Sequence, residues 1–226
     1  MTLFFDIDGT LLDEDAAEHK AAMAFQKEHA ELFLQPPDVF ADAWRRLTEF
    51  HVQRFLKGEI SFREQRIARM QALFAGVGRK LAEEEAGTLF KAYLKHYEAN
   101  WCLFGDVQDC LQALKGRSLG IISNGDSRQQ RQKLDQLHIR ELFDPVIISS
   151  DLDISKPDAG IFLEACRQAG QSPRECIYVG DNYEVDILGS RNAGLRGIWL
   201  NRFGENRNEE ADLTVIRSLA ELPNVI

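Results

Sequence analysis

The amino-acid sequence predicts an α/β fold: a Rossmann-like, doubly wound parallel sheet with a helical block inserted after its first strand. Three observations carry this. An apolar run, Leu3-Phe4-Phe5, leads straight into Asp6-Ile7-Asp8-Gly9-Thr10. From about residue 15 to 100 the apolar residues recur with helical spacing, and from Gly105 onward short apolar runs alternate with helical stretches. Short apolar runs bounded by turn residues mark strands covered on both faces, and their alternation with helices marks parallel βαβ units.

Leu3 to Ile7 reads as the first strand. Four helices follow. The first runs from about Asp15 to Leu34, where Pro36-Pro37 breaks it; the second starts near Asp38, carries Phe40, Trp44, Leu47 and His51, and stops at Gly58. Ser61-Phe62-Arg63-Glu64 has the form of a capping box, with Ile67, Met70 and Phe74 behind it at helical spacing. A fourth helix spans about Ala82 to Asn100. The alternating half then reads as helix from Asp106 to Lys115, strand from Leu119 to Ser123, helix to about Leu137, and strand from Val146 to Ser149. A helix from about Asp158 to Ala169, a short helix start at Ser172-Pro173-Arg174-Glu175, a strand from Cys176 to Val179, a helix ending before Gly194 and a strand from Gly197 to Leu200 complete it. The simplest assembly joins residues 1–14 and 101–226 into a core domain and sets residues 15–100 apart as a helical cap.

The chain has 226 residues, 44% hydrophobic and 28% charged, which fits one large domain or a core with an insert and leaves room for a packed interior. Its formal charge of -9 argues against nucleic-acid and anionic-membrane partners, because both reward a basic face. There is no basic-then-apolar leader at the N-terminus, and no uncharged run approaches membrane-spanning length. Cys102, Cys110, Cys166 and Cys176 lack Cys-x-x-Cys spacing and read as reduced packing residues, so a cytoplasmic location is expected. Oligomeric state is not legible.

Side chains alternate along a strand, so Asp6 and Asp8 share a face. Two acids side by side call for a cation, a shared proton, or both. Mg2+, a hard ion that takes oxygen ligands, is the natural cation; an acidic turn after a strand is the bland alternative for one Asp-x-Asp alone. In an open parallel sheet the ligand site lies at the carboxyl ends of the strands, near a switch in strand order. The other strand ends carry complementary groups. The second offers Ser123-Asn124-Gly125, a hydroxyl and a turn whose backbone N–H groups suit a phosphate, although the same residues are ordinary turn chemistry. The third is followed by Ser155-Lys156-Pro157-Asp158, with Asp158 placed to cap the next helix. The fourth ends in Gly180-Asp181, with Asp186 in the first turns of the helix beyond it, where it also complements the helix dipole.

Together, Asp6-Ile7-Asp8-Gly9-Thr10, Ser123-Asn124-Gly125, Lys156-Pro157 and Gly180-Asp181 with Asp186 resemble, in order and placement, the four motifs of the haloacid dehalogenase superfamily. The resemblance covers almost the whole chain. The insert is similar to that superfamily's small helical cap, and the later half to its nucleotidase-like and phosphoglycolate-phosphatase-like branch. This implies a Mg2+-dependent phosphatase acting on a small phosphorylated metabolite: a nucleoside monophosphate, a phosphoglycolate-like acid or a sugar phosphate. It implies Asp6 as nucleophile, forming an aspartyl-phosphate, and Asp8 as general acid and then base. Mg2+ is implied to rest on Asp6, the backbone carbonyl of Asp8, and Asp181, with Asp186 as a further ligand or an orienting group. Ser123 and the N–H groups of Asn124 and Gly125 are implied to bind phosphate oxygens, with Lys156 neutralising both the phosphate and Asp6. Asp8 points away from carbon–halogen cleavage, because the dehalogenases proper lack an acid there. Thr10 resembles the hydrolases more than the sugar phosphomutases.

In that family the cap supplies most leaving-group contacts, which directs attention to Gly58-Glu59-Ile60-Ser61 and the helix after it. Helical phase places Arg63 near the Ile67, Met70 and Phe74 face, with Arg66 at its margin. Each needs an anionic partner, either the substrate or, more commonly, a carboxylate of the protein. The run Arg45, Arg46, Arg54, Lys57, Arg63, Arg66, Arg69, Arg79 and Lys80 makes the cap basic, either as solvated faces or as an attractor of phosphorylated metabolites. Trp44, Phe55 and Phe62 stack on a ligand or, as is commoner for aromatics at helical spacing, fill the core. The five histidines show no metal-ligand spacing. Two other classes fit less well. A signalling receiver domain has adjacent acids on its first strand, a phosphoacceptor on a later one and no long cap; a non-catalytic interaction protein gains nothing from keeping Asp8 beside Asp6.

Overall fold

The computed structural model describes residues 1–205 and 212–226. The chain divides into two compact units, Met1–Asp13 with Cys102–Ile226, and Glu14–Trp101. In the first, six strands form a parallel sheet: β1 (Thr2–Phe5), β2 (Ser118–Ser123), β3 (Val146–Ile148), β4 (Cys176–Gly180), β5 (Arg196–Leu200) and β6 (Thr214–Ile216). Their order is β3-β2-β1-β4-β5-β6. The chain therefore winds away from β1 in both directions, and the switch in winding lies at β1, where such sheets place their ligands. All four residues of β1 are buried, as a central strand demands. Register sets Phe5 opposite both Ile121 and Val179, and the Asp6 N–H donates to the Val179 carbonyl at 3.0 Å, so Asp6 emerges between the ends of β2 and β4.

The helical unit comprises α1 (Glu14–Glu28), α2 (Pro37–Leu56), α3 (Phe62–Ala75) and α4 (Glu83–Ala99). Helix α1 stops short of the expected Leu34 because the buried Gln26 amide donates to the Phe33 and Gln35 carbonyls, at 3.1 and 2.6 Å, and fixes a turn there. The capping box forms as expected: Glu64 N–H donates to Ser61 Oγ, and Ser61 N–H to the Glu64 carboxylate at 2.7 Å. Phe25, Phe40, Trp44, Phe74 and Tyr93 are buried in the core of this unit, with the Trp44 and Tyr93 rings 4.5 Å apart. Trp44 is thus a packing residue.

Around the sheet lie α5 (Val107–Ala113), α6 (Ser127–Gln136), α7 (Ser149–Leu152), α8 (Ala159–Gln168), a π-helical segment Tyr183–Leu188 and α9 (Gly189–Asn192). Asp158 caps α8 by accepting from Gly160 N–H at 2.7 Å. Strand β1 ends at Phe5, earlier than Ile7, because the Ile7 carbonyl accepts from Leu11 and Leu12 N–H and turns the chain back. Strand β3 ends at Ile148, since Ser149 already opens α7. The single helix expected before Gly194 is a π-helical segment running into α9. All four cysteines are free thiols. Among the described residues, no helix is long and apolar enough to cross a membrane.

Candidate active site

The carboxyl ends of β1 and β4, with the loop after α7, bring Asp6, Lys156, Asp181 and Asp186 together. Lys156 is the organising charge. Its buried Nζ donates to Asp6 Oδ1 at 2.8 Å, to Asp186 Oδ1 at 2.7 Å and to the Tyr178 hydroxyl at 2.8 Å, which places all three ammonium protons. The Tyr178 hydroxyl lies 2.9 Å from the Ile122 carbonyl, to which it donates. Asp186 Oδ2 accepts from Asn182 N–H at 3.0 Å, and Asp181 Oδ1 from Thr10 Oγ1 at 3.2 Å. Two glycines make room for these acids. A Cβ on Gly9, whose φ is +76°, would lie 2.4 Å from Asp181 Oδ2, and one on Gly180 2.4 Å from Asp186 Oδ2.

The electrostatics of the cluster show what it suits. Oxygens of Asp6, Asp181 and Asp186 lie within 4.8 Å of one another, and one lysine faces three acids. Burial pushes the Asp6 carboxyl up to about 6; Lys156 opposes the shift, and Asp186 and Asp8 add to it. Asp181 is held well above the usual carboxylate range, by burial first and then by Asp186 and Asp6. Burial alone would depress Lys156, yet Asp186 and Asp6 hold it above the ordinary lysine value. Hard oxygen donors carrying surplus negative charge in a buried setting fit a divalent cation. The Asp8 side chain is not part of this group; only its backbone carbonyl remains for the ligand role expected of it.

The Asp8 carboxylate instead faces α6, accepting from Lys133 Nζ at 2.6 Å and from Gln130 Nε2 at 2.9 Å. At the end of β2, Ser123 Oγ accepts from the same Gln130 amide at 2.8 Å. Asn124 pairs through both ends of its side-chain amide with the backbone of Lys156, at 2.8 and 3.0 Å, and so fixes the loop that carries the lysine. Gly125 N–H donates to Ser149 Oγ at 3.0 Å, so the phosphate-binding role expected of it requires that bond to open or be shared.

Sequence reasoning missed Tyr178, Gln130, Lys133 and Ser149. A signal existed for Gln130, which stands one helical turn before the buried Leu134. None existed for a lysine turned inward. The arginines expected at the apolar face of α3 are arranged differently. Arg63 is 74% exposed and lies 3.8 Å from Glu83, because it sits in the first turn of α3, ahead of the buried face. Arg66 lies over the Phe62 ring at 4.2 Å and the Phe90 ring at 5.4 Å. The buried arginine is Arg69, which donates to Thr48 Oγ1 at 2.9 Å and lies 3.5 Å from Glu18. Arg45, Arg54 and Arg79 likewise pair with Glu49, Glu59 and Glu85.

Fold and site define a protein of the α/β class with a buried carboxylate, Asp6, just past the end of a central strand. More particularly, the chain belongs to the haloacid dehalogenase-like hydrolase family, whose model matches residues 1–194. It is 28% identical to the N-acylneuraminate-9-phosphatase of Homo sapiens, over 99% of this chain and 92% of that protein. It is 30% identical to the pyrimidine 5'-nucleotidase PynA of Streptococcus pneumoniae, over 88% of this chain and 83% of that one. Among solved structures, the HAD-hydrolase YfnB from Bacillus subtilis, bound to magnesium, matches with a TM-score of 0.84 at 26% identity, covering 99% of this chain and 97% of that chain.

Proposed function

We propose that this protein is a cytoplasmic, Mg2+-dependent phosphatase that hydrolyses small phosphomonoesters through an aspartyl-phosphate on Asp6. The observation that carries the reading is the contact of Lys156 with Asp6, made beside the acids Asp181 and Asp186 and two residues before Asp8. Both curated relatives above are named for phosphomonoester hydrolysis, one on a nucleotide and one on a sugar acid. Mg2+ would rest on Asp6, Asp181 and Asp186 and the Asp8 carbonyl, where its charge lets an anionic nucleophile approach an anionic phosphate.

The residues of the chain then divide the work. An oxygen of Asp6 bonds to phosphorus while the bond from phosphorus to the alkyl oxygen breaks, and Asp8 supplies the proton that the departing alkoxide takes. Water next attacks phosphorus, the bond to Asp6 breaks, and the proton of the water passes to Asp8. Ser123 and the Asn124 and Gly125 N–H groups bind the phosphate oxygens on which negative charge accumulates, and Lys156 supplies positive charge beside them, donating to the phosphate only by giving up one of its bonds to Asp6, Asp186 or Tyr178. The net change is ester plus water to alcohol plus phosphate. Four free thiols suit a reducing compartment.

The test is phosphate release from a panel of primary alkyl phosphates, including nucleoside 5'-monophosphates, sugar phosphates and phosphoglycolate, with and without Mg2+, and with Asp6→Asn as control. Metal-dependent release that vanishes in the variant is the expected result. Absence of release from every ester by folded, Mg2+-loaded protein would refute the reading.

A further inference from the structure

Two side chains hold Asp8, and the mechanism above uses neither. Lys133 donates to one carboxylate oxygen at 2.6 Å and Gln130 to the other at 2.9 Å, both from α6 and both buried at 2% exposure. An ammonium is costly to bury unless it is paired, and a lysine facing solvent would serve the helix as well. The Gln130 amide also donates to Ser123 Oγ at 2.8 Å, which ties the orientation of Asp8 to the hydroxyl at the end of β2. At Gly125, with φ at +136°, a Cβ would stand 3.3 Å from Gln130, so the turn after β2 closes tightly over the same amide. Each Asp8 oxygen retains a second lone pair, leaving a place for a proton.

We propose that Lys133 and Gln130 are positioning residues for the acid–base carboxylate. They act through Asp8 and not on the ester or the water. They clamp both oxygens of Asp8, so that one orientation serves the departing alkoxide in the first half-reaction and the attacking water in the second. The proposal rests on the phosphatase reading above.

Leaving-group dependence tests it. p-Nitrophenyl phosphate expels a stabilised phenolate and gains little from protonation, whereas a primary alkyl phosphate depends on it; general acid catalysis contributes about 10²–10⁴-fold. For Lys133→Met and Gln130→Leu, the ratio of kcat/KM on p-nitrophenyl phosphate to kcat/KM on the best alkyl ester of the panel should rise at least about tenfold over wild type. Lys133→Arg, which keeps a cationic donor, should restore part of the ratio. With the aryl ester, slow water attack should also appear as a burst of phenolate equal to the enzyme present. A lysine with only a structural role lowers both esters alike, and an unchanged ratio in either folded variant would overturn the proposal. If Lys133→Met fails to fold by circular dichroism, Gln130→Leu carries the same reading. A wild type inactive on both esters would instead remove the phosphatase reading beneath it.

Discussion

Replacing Tyr178 with Phe deletes one oxygen from the buried centre and leaves Lys156 one acceptor short. The ring stays, with its edge-on contact to Phe162 at 5.2 Å between centroids, so packing is conserved. What is lost is the acceptor for one ammonium proton, at 2.8 Å, and the donor to the Ile122 carbonyl, at 2.9 Å. A hydrogen bond to a charged group contributes about 1.5–3 kcal/mol and a neutral one about 1 kcal/mol, so the loss should be about 2–4 kcal/mol. In a chain of this size that is a fall in Tm of roughly 5–15 °C. Differential scanning calorimetry of metal-free wild type and Tyr178→Phe at pH 7 measures it. Lys156 keeps both carboxylates, so it should remain charged and in place. A Tm within about 1 °C of wild type would refute the inference that Tyr178 satisfies the lysine.

Gly180→Ala should displace Asp186, because the new Cβ would stand 2.4 Å from its Oδ2 and 2.6 Å from its own Cβ. Overpacking of this kind costs about 1–3 kcal/mol, and calorimetric titration should show weaker Mg2+ binding beside a lower Tm; wild-type affinity would contradict the geometry. Asp181→Asn replaces an anionic donor with a neutral amide, so the rise in Tm with saturating Mg2+, worth about 2.7 kcal/mol at a hundredfold excess over Kd, should largely vanish. A full rise in the variant would place the cation elsewhere. Asp106 accepts two bonds from Arg202, at 2.7 and 2.9 Å, one from Ser218 Oγ and one from Leu219 N–H. Burial opposes its ionisation, yet Arg202, Ser218 and Leu219 hold its carboxyl below the ordinary 3.8. A depressed folded pKa means that its stabilisation is complete above the ordinary value and is lost as pH falls through the folded one. Urea unfolding should therefore weaken below about pH 4 in wild type and less steeply in Asp106→Asn; parallel acid limbs would contradict the assignment.

Much of this architecture is written locally. A buried β1 is legible because Leu3, Phe4 and Phe5 leave no polar face, and α3 because Ser61 and Glu64 satisfy its first N–H groups within four residues of chain. The site motifs are legible because each lies at a strand end, where a change of period and a turn residue announce it. Strand β6 is not, since Thr214-Val215-Ile216 is too short to show a period apart from its neighbours in the sheet. The partners of the site residues are hidden for a related reason. Tyr178 looks like one more β-strand aromatic, and only the fold brings its hydroxyl to Lys156. Lys133 lies in a strongly polar helix segment, and its inward turn follows from a carboxylate 125 positions away in sequence. Arg63 has the right helical phase for burial, but the first turn of α3 offers it no opposing surface, whereas Arg69 lies farther along, where Glu18 and Thr48 of neighbouring helices meet it.

The measurement that tests the central claim most directly is rapid-quench trapping of the phosphoenzyme. Wild type is mixed with Mg2+ and its best ester, quenched in acid within one turnover, reduced with borohydride to convert any acyl phosphate, and mapped by peptide mass spectrometry. The account predicts modification of Asp6 alone, formed and consumed at rates consistent with turnover and absent from Asp6→Asn. Phosphate found on another side chain, or none on an enzyme that turns over, would contradict it.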